Sequence, residues 1–505
     1  MTTRSGSALL LLAFVLAACG ASAPAPSADV VSLSDGSVRG TVGADHQLYQ
    51  GIPYAAAPVG DLRWRPPAPV RAWDGVRDAT RPGARCPQPG TAGSEDCLFL
   101  NVTAPAAGEG HPVLVWLHGG AFLGGGGDEF DARRLAARAD LVVVTLNYRL
   151  GALGWLAHPA LAHAGGAGNV GLLDQQAALR WVRDNIAAFG GDPVRVTLAG
   201  ESAGAISVCD HLAAPDSAGL FRAAIIQSGP CQAHATAEAG ERASSAYAAN
   251  LGCPDPVTAA DCLRDLPPAA LLTAPRYYDL AGVPVAGPVT GGPLLPANPV
   301  EAMRSGQVAA VPVLLGVTRD EFTLFLAQRY ATTGETVTEN GYTPALAEVF
   351  GGDAAAVAQR YPPAAHGGSA PRALAAALTD ATFACVAGDM AGALSRAAPV
   401  YAYEFDDPRA PVPDSLANTP FPLGAAHSLE LSYLFGDGAA LDDGQRRLSG
   451  EMIAEWAAFA HTGAPGAQWP RYDPAHARVR ALVPGGMRID DDFATAHHCE
   501  FWGAR

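Results

Sequence analysis

The pentapeptide Gly200-Glu201-Ser202-Ala203-Gly204 decides how this chain folds. It follows residues 194–199 (VRVTLA), a β-branched, alternating run that predicts a strand, and it precedes an Ala-rich helical pattern. A serine with glycine two residues before it and two residues after it, between a strand and a helix, is typical of a nucleophile elbow. In so tight a turn, side chains at the two flanking positions would collide with neighbouring backbone. We therefore expect Ser202 Oγ to stand exposed over a helix N-terminus, which favours a developing anion.

An ordinary Gly-Ser loop is the alternative interpretation of this pentapeptide, because 57 of the 505 residues are glycine. Two observations favour the elbow. The match to G-x-S-x-G is the only one in the chain, and a strand pattern precedes it while a helix pattern follows it. Acyl transfer by a serine also requires an anion stabiliser, a base and a group that orients the base. If Ser202 is a nucleophile, the chain must supply these partners elsewhere.

Continuous apolar runs predict the other strands. Runs without polar alternation indicate strands covered on both faces, and hence a mostly parallel sheet. Residues 174–189 (DQQAALRWVRDNIAAF) lie between two such runs, carry apolar side chains at helical spacing, and are followed by Gly190 and Gly191, which end a helix. Strands that alternate with helices predict the α/β class, with a central, mostly parallel mixed sheet flanked by helices. The runs are residues 113–117, 141–146, 194–198, 223–227, 311–317 and 400–405.

Segments outside these runs are assigned from their composition. Residues 29–50 alternate and carry glycine turns, which predicts a short antiparallel hairpin. Residues 232–306 and 331–371 are rich in Ala, Pro and Gly, and we interpret them as insertions that cover the active site rather than as separate domains. Residues 451–461 (EMIAEWAAFAH) predict a closing amphipathic helix.

The charge balance argues against a nucleic acid as the partner of this protein. Lys and Arg number 33 against 49 Asp and Glu, for a net charge of −16, whereas a nucleic-acid-binding protein is expected to carry a basic stripe. No His, Cys or Asp cluster has the spacing of a metal site, and the chemistry of a serine nucleophile requires no metal and no cofactor. The sequence gives no reason to infer an obligatory protein partner.

The N-terminus is typical of export. Arg4 precedes an apolar run, residues 8–18, that is too short to span a bilayer and resembles a secretory signal. The run ends in Leu-Ala-Ala before Cys19, which resembles the lipobox of bacterial lipoproteins, where the cysteine is lipidated. A plain signal peptide cut near the same alanines is the alternative. We therefore expect a signal peptide over residues 1–18, a flexible tether over residues 19–28 and one catalytic domain over residues 29–505, with acyl chains on Cys19 anchoring the protein to a membrane leaflet.

The nine cysteines are compatible with disulfides in an exported chain. If Cys19 is lipidated, eight remain, an even number. Cys86 with Cys97, and Cys253 with Cys262, are close enough in sequence to close short loops. Two pairs involve longer spans: Cys385 and Cys499 are candidates to close a long loop, and Cys209 and Cys231 are left as candidates for a fourth pair.

The stretch 116–122 (WLHGGAF) is the candidate anion stabiliser. It follows the predicted strand 113–117 and matches the HGG-type oxyanion motif of esterases, in which small residues let backbone N–H groups converge on one point. A glycine-rich turn is the alternative, and residues 124–127 directly afterwards fit that description. The presence of the Ser202 elbow in the same chain favours the oxyanion motif.

With these motifs the chain resembles the type-B carboxylesterases, which include the cholinesterases and bacterial esterases of the α/β-hydrolase fold. The resemblance runs from about residue 38 to residue 502. It implies that fold and the hydrolysis of carboxylic esters through an acyl-enzyme. The matching segments, in order, are residues 49–55 (YQGIPYA), 60–64 (GDLRW), 94–98 (SEDCL), 118–121 (HGGA), 147–151 (NYRLG), 168–175 (GNVGLLDQ), 200–204 and 227–229 (QSG).

The resemblance also implies the acid of the site. The family places it at the end of a Gly-x-x-x-Asp-Glu segment, which here is residues 316–321 and ends in Glu321. Asp320 is the fallback, and a solvated acidic pair is the alternative for both. Phe322 stands where the family usually has glycine, a departure expected to reshape the pocket.

The base implied by the resemblance is His427. It opens a His-x-x-Glu segment, residues 427–430, that precedes residues 433–436 (YLFG). Ser428 stands where many members have glycine, and without the resemblance His366 or His461 would be nearly as eligible as base. Ser202, Glu321 and His427 then follow one another in the α/β-hydrolase order of nucleophile, acid and base.

Several supporting residues carry over from the family in the same way. The backbone N–H groups of Gly120, Ala121 and Ala203 are implied as oxyanion donors, with Gly119 shaping the turn. The cholinesterases have a longer loop between the first two cysteines, which makes choline-ester specificity unexpected here. The implied structural ion pairs are Arg63 with Glu95 and Arg149 with Asp174, and the implied disulfides are Cys86–Cys97, Cys253–Cys262 and Cys385–Cys499.

Three functions are compatible with such a chain. The favoured one is an exported serine carboxylesterase, anchored through Cys19 or otherwise secreted, that acts on a small-molecule ester. A non-catalytic adhesion or binding protein on the same fold is the second, but such proteins typically lack a triad member and this chain has all three. A lipase with long-chain specificity is the third, and it depends on the shape of the pocket.

Overall fold

A sheet of 11 strands organises the molecule in the computed structural model, which describes residues 1–2, 29–91, 93–164, 168–280 and 283–503. Most of the predicted signal peptide, the tether and Cys19 lie outside the described residues. The strands are β1 Val30–Leu33, β2 Gly36–Arg39, β3 Thr41–Val42, β4 His46–Pro53, β5 Val76–Asp78, β6 Phe99–Pro105, β7 His111–Leu117, β8 Val142–Leu146, β9 Gly191–Glu201, β10 Ala223–Gln227, β11 Ala235–Thr236, β12 Tyr278–Leu280, β13 Val283–Val285, β14 Val289–Thr290, β15 Val313–Thr318, β16 Val400–Phe405, β17 Val479–Leu482 and β18 Arg488–Asp490.

The helices fill the connections between these strands. Their bounds are α1 Arg133–Ala139, α2 Gly151–Trp155, α3 Val170–Asn185, α4 Ala203–Ala213, α5 Ala237–Asn250, α6 Ala259–Arg264, α7 Pro299–Arg304, α8 Glu321–Thr333, α9 Tyr342–Phe350, α10 Ala354–Arg360, α11 Ala370–Thr379, α12 Cys385–Leu394, α13 Leu431–Leu434, α14 Asp443–Thr462, α15 Phe493–Ala496 and α16 Cys499–Gly503. A π-helical turn, Asp380–Ala384, joins α11 to α12.

The large sheet has the strand order β18-β17-β16-β15-β10-β9-β7-β8-β6-β4-β3. The strands from β17 through β8 in that order run parallel to one another, and antiparallel strands border them on both sides. The prediction of a mostly parallel mixed sheet in an α/β fold is therefore confirmed. Strands β7, β8, β10, β15 and β16 are buried along their whole length, which is why they read as continuous apolar runs.

Helices pack on both faces of this sheet. Alternate side chains of β7 divide between two hydrophobic clusters: Val115 and Leu117 belong to one, and Leu114 and Trp116 to the other. Because successive side chains of a strand point to opposite faces, the two clusters lie on opposite sides of the sheet. Helices α3, α4, α11 and α12 contribute to the first cluster, and α1 and α14 contribute to the second.

The structure differs from the sequence prediction in the bounds of several helices and hairpins. The helix predicted over residues 174–189 begins earlier, at Val170, and its last turn is a 3-10 helix, Ile186–Phe189, that stops at Gly190 in the left-handed conformation. Residues 29–50 form two hairpins instead of one: β1 pairs with β2, and β3 pairs with β4. The predicted closing helix is present within the longer α14.

One helical stretch has the composition of a membrane span. The run from Ala370 to Leu394 is long and apolar enough to cross a bilayer. However, 61% of its most apolar 18-residue stretch is buried inside the protein. A core helix of a globular protein has the same composition, and α11 and α12 are core helices here.

Four disulfides pair the eight cysteines other than Cys19. Cys86–Cys97, Cys253–Cys262 and Cys385–Cys499 are the pairings that the sequence favours. The pairing that the sequence left open is Cys209–Cys231, which connects α4 to the segment after β10.

Candidate active site

The elbow has the geometry that its sequence predicts. Ser202 lies between the end of β9 and the start of α4 with φ +55° and ψ −122°, and its N–H donates to Gln227 O at 2.9 Å. A Cβ on Gly204 would lie 2.0 Å from Leu117 O, and a Cβ on Gly200 would lie 2.5 Å from backbone atoms of Gly204. Both flanking positions therefore require glycine, for the steric reason anticipated from the sequence.

The HGGA loop lies against this elbow. A Cβ on Gly119 would lie 2.7 Å from Glu201 Oε2 and 3.0 Å from Ser202 Cβ, so only glycine allows the approach. Gly120, Ala121 and the next residue all have positive φ, which turns the loop sharply at the end of β7. Within the described residues, no hydrogen bond uses the N–H of Gly120, Ala121 or Ala203. Three donors are thus available next to Ser202, as an oxyanion site needs.

The predicted acid and base form a buried pair. Glu321 is the first residue of α8, directly after β15, and its Oε1 accepts from Thr318 N at 2.8 Å. The other oxygen, Oε2, lies 2.5 Å from His427 Nδ1. Both side chains are almost fully buried. The carboxylate assigns the Nδ1–H tautomer to a neutral His427, which leaves Nε2 as the nitrogen that can accept a proton.

The alternatives for these two roles lie elsewhere. Asp320 Oδ2 accepts from Ala425 N at 3.0 Å and so fixes the loop that leads to His427, without contacting the imidazole. His461 Nε2 donates a hydrogen bond to Ala139 O at 3.0 Å. His366 stacks near Tyr361 on a 3-10 turn. The structure therefore brings together Glu321 and His427 and none of the fallback residues.

Phe322, which replaces the glycine of the family pattern, belongs to an aromatic cluster beside His427. Its ring is 5.0 Å from that of Phe325 and 5.8 Å from that of Phe383. The rings of Phe325 and Phe383 lie 5.0 Å and 5.4 Å from the His427 imidazole. An apolar wall of this kind excludes water from one side of the imidazole.

Sequence reasoning missed a second carboxylate next to His427. Glu201 Oε1 lies 3.0 Å from His427 Nε2, and the same oxygen accepts from Ser428 Oγ at 2.5 Å. Burial raises the pKa of Glu201 above its usual value. Burial alone lowers the pKa of His427, but the carboxylates of Glu201 and Glu321 outweigh it and raise that pKa to about 9. One signal for Glu201 was present in the sequence, because this residue directly precedes the predicted nucleophile Ser202.

A third buried carboxyl, Glu430, extends this network. Its Oε1 accepts from Gln227 Nε2 at 3.1 Å, and Gln227 Oε1 accepts from Trp456 Nε1 at 3.0 Å. Burial, together with repulsion by Glu201 and Glu321, raises the pKa of Glu430 to about 8. Glu430 was visible in the sequence as the last residue of the His-x-x-Glu segment, but its side chain had no assigned role.

The two ion pairs inferred from the resemblance are bidentate; Arg149–Asp174 is buried and Arg63–Glu95 is partly buried. Arg63 binds Glu95 at 2.6 and 2.7 Å, and its remaining donors reach backbone carbonyls near α6. Arg149 binds Asp174 at 2.7 Å through two nitrogens, with both side chains out of solvent. Each pair connects separate elements of the fold. Bidentate pairs shielded from solvent are stronger than exposed ion pairs, which contribute little to stability.

Comparisons with known proteins agree with this geometry. The model of the carboxylesterase family matches residues 27–502. The chain is 37% identical over 499 residues to a para-nitrobenzyl esterase of Bacillus subtilis, covering 92% of this chain and 96% of that protein. It is 35% identical over 510 residues to a fumonisin B1 esterase of Sphingopyxis macrogoltabida, covering 94% and 90%. A solved structure of a PNB esterase superposes with a TM-score of 0.79 at 36% identity, covering 92% of this chain and 98% of that one.

Proposed function

The chain belongs to the carboxylesterase family, and from that membership we propose that Ser202, Glu321 and His427 form its catalytic triad. The protein has an α/β-hydrolase fold and is a serine hydrolase of carboxylic esters. The observation that carries the triad is the buried contact of His427 Nδ1 with Glu321 Oε2 at 2.5 Å, made directly beside the elbow that holds Ser202. Nucleophile, base and orienting acid are thus supplied by three separate elements, β9–α4, the loop before α13 and α8.

The proton transfers follow from this arrangement. Neutral His427 removes the proton of Ser202 through Nε2 as Oγ attacks the ester carbonyl. Glu321 fixes the tautomer of the imidazole and stabilises the imidazolium that forms. The imidazolium then protonates the leaving alcohol, and water repeats the attack on the acyl-enzyme.

The oxyanion is stabilised by backbone. The N–H groups of Gly120, Ala121 and Ala203 donate to the negative oxygen of each tetrahedral intermediate, and Gly119 allows their loop to approach the elbow. Loss of one such donor typically lowers the rate by about a hundred- to a thousandfold. The partial positive charge at the start of α4 acts in the same direction.

Replacing the nucleophile tests the proposal. Ser202→Ala is expected to lower kcat for p-nitrophenyl acetate by about a millionfold or to the detection limit, because no other hydroxyl occupies the elbow. Ser305→Ala, at an exposed serine after α7, is the matched control and should keep full activity. Turnover retained by Ser202→Ala in a folded protein would remove the assignment.

The substrate class is a small-molecule carboxylic ester. The named relatives are a para-nitrobenzyl esterase, a fumonisin B1 esterase and a cocaine esterase of Homo sapiens, so the fold accommodates esters of different shapes. The loop closed by Cys86–Cys97 spans only 11 residues, which argues against a choline-ester site of the cholinesterase kind. A series of p-nitrophenyl esters of increasing acyl length would separate an esterase, which favours short chains, from a lipase, which favours long ones.

The proposal includes an exported, lipid-anchored location. Residues 1–18 are the signal peptide, Cys19 is lipidated, residues 19–28 are the tether and residues 29–505 are the catalytic domain. Support comes from the four disulfides, since disulfides form and persist in oxidising compartments. Radioactive fatty acid should label the wild-type protein and not Cys19→Ser. An unlabelled wild type, or a mature chain that begins beyond residue 19, would contradict the anchor.

A further inference from the structure

Ser428 has an unusual backbone conformation and a partly buried hydrogen bond. Its φ is +65°, a left-handed conformation that costs a non-glycine residue about 1 kcal/mol or more. In this conformation its hydroxyl donates to Glu201 Oε1 at 2.5 Å, across 227 residues of sequence. A strained residue that makes one specific contact beside a reactive centre calls for a functional explanation.

The oxygen that Ser428 contacts is the one that faces the base. Glu201 Oε1 also lies 3.0 Å from His427 Nε2, while the other ring nitrogen is bonded to Glu321. A neutral imidazole with its proton on Nδ1 presents a lone pair at Nε2, and an ionised carboxylate presents only lone pairs. Two sets of lone pairs facing each other at 3.0 Å repel, so a positive charge on His427 or a proton on Glu201 stabilises the contact.

We propose that Ser428 is a positioning residue of the esterase reaction, whose hydroxyl keeps Glu201 ionised and aligned on His427 Nε2. This inference rests on the proposed role of His427 as base. A hydroxyl that donates to a carboxylate stabilises the charged form, so Glu201 stays ionised beside Nε2. The same ionised Glu201 stabilises the imidazolium that forms in each transition state. The contact of Ser428 with Glu201 accordingly lowers the pKa of that carboxyl, against the effect of burial.

The other titratable groups around this pair do not replace Glu201. Glu321, at the start of α8, holds Nδ1 and not Nε2. Glu430, beyond Ser428 in sequence, has its pKa raised by burial to about 8 and is neutral at lower pH. Burial raises the pKa of Tyr148 and of Tyr403 on β16, so both are neutral, and it lowers the pKa of His118 to about 4. Among the described residues around the imidazole, Glu201 is the one whose carboxylate oxygen lies against Nε2.

Substitution of Ser428 therefore shifts the pH profile. Without the hydroxyl, Glu201 takes up a proton more readily, its charge is lost beside the imidazole, and the pKa of His427 falls. The acidic limb of kcat/KM for p-nitrophenyl acetate should move down by about one pH unit in Ser428→Gly, since a hydrogen bond to a charged group is comparable to one unit of pKa. The plateau kcat should fall about tenfold as the imidazolium loses an ionised partner.

Two variants separate this role from a purely structural one. Glycine adopts φ +65° without strain, so Ser428→Gly should unfold at the same temperature as wild type or higher, whereas Ser428→Ala keeps the strain. Both should show the same shift of the pH profile. Ser432→Ala is the matched control, because this serine lies in the same segment and donates to Leu429 O at 2.9 Å, outside the site. It should leave the profile unchanged.

A double-mutant cycle tests whether Ser428 affects His427 through Glu201. In a Glu201→Gln background, Ser428→Gly should produce no further shift, because the amide does not ionise. A normal acidic limb in both Ser428→Gly and Ser428→Ala, or an equal shift in the Glu201→Gln background, would overturn the proposal. Labelling of Ser202 by a fluorophosphonate, measured on the same preparations, tests the triad separately. Wild-type protein labelled elsewhere would overturn the triad, whereas correct labelling with an unchanged profile would overturn only the role of Ser428.

Discussion

Several residues with strained backbone lie in the segments around Ser202, the proposed nucleophile. Ala121, Phe122, Ser202, Ser228 and Ser428 all have positive φ although none of them is glycine. Each such residue costs about 1–3 kcal/mol, and the cost persists only where the surrounding structure enforces it. Here the enforcement comes from buried neighbours, the parallel strands on one side and the HGGA loop on the other. The site is therefore held in place at the expense of stability, as pre-organised catalytic sites commonly are.

The choice between Glu321 and Asp320 as the acid can be decided by two isosteric substitutions. Glu321→Gln should lower kcat about ten-thousandfold, because an amide neither holds the correct tautomer of His427 nor stabilises its imidazolium. Asp320→Asn should retain most of kcat, because its carboxylate binds Ala425 N and not the imidazole. Steady-state kinetics of the two variants give the comparison, and a larger loss in Asp320→Asn would reverse the assignment.

At the residue scale, the sequence predicted candidate catalytic residues from motifs and from the resemblance to a family. The elbow around Ser202 follows from local sterics, while Glu321 and His427 follow from the resemblance. Glu201 and Ser428 could not be paired in this way, because their contact depends on two chain segments that meet only in the folded molecule. A serine in a left-handed conformation also leaves no pattern in the sequence around it.

At the scale of elements, the strands were the most predictable part. Runs such as residues 113–117 and 400–405 lie wholly within buried strands, and burial on both faces gives an unmistakable apolar signal. The short helix α2 was not predicted, because its two glycines and five residues give no helical period. The π-helical turn between α11 and α12 was also missed, since its Asp380 is held by contacts distant in sequence.

Those contacts predict a stabilising role for His497, which precedes α16. Its two nitrogens lie 2.5 Å from Asp380 and 2.6 Å from Glu404 on β16, with all three side chains buried. Removal of the imidazolium leaves Asp380 buried without a cation and leaves Glu404 only Arg319, at 3.1 Å from its other oxygen. His497→Gln should therefore lower the free energy of unfolding by about 3–5 kcal/mol. His476→Gln is the control, because that histidine pairs with Asp473 on the surface, and its urea unfolding midpoint should stay at the wild-type value.

This stabilisation should depend on pH in a defined window. Burial alone lowers the pKa of His497, but hydrogen bonds from its ring to Asp380 and Glu404 outweigh it and raise that pKa to about 10, above its usual 6.5. The contribution of the charge is therefore fully present below pH 6.5 and is lost as the pH rises through 10. Unfolding of wild type and His497→Gln at pH 6.5 and pH 10 should give a smaller difference at the higher pH. If the stability difference between wild type and His497→Gln grew with pH, the positive charge of His497 could not be its source.

At the scale of the whole molecule, three parts of the chain separated by long stretches of sequence build one site. Ser202 follows β9, Glu321 follows β15, and His427 lies between β16 and α14, so the proposed site forms only when the parallel strands are in register. His427 lies in the loop that the Cys385–Cys499 disulfide closes, together with β16 and β17. This disulfide thus joins the core helix α12 to the C-terminal segment that carries His497.

The disulfides should differ in what they contribute to the stability of the whole chain. The Cys385–Cys499 loop spans 114 residues and the Cys253–Cys262 loop spans 9. In the chain-entropy account, a cross-link that closes a longer loop removes more freedom from the unfolded state, which gives about 5 kcal/mol for the first and about 3 kcal/mol for the second. The double variant Cys385→Ser with Cys499→Ser should therefore unfold at lower urea concentration than Cys253→Ser with Cys262→Ser, with the two compared under identical non-reducing conditions. Equal midpoints, or the opposite ranking, would mean that the contribution of these disulfides comes from contacts in the folded state and not from restriction of the unfolded chain.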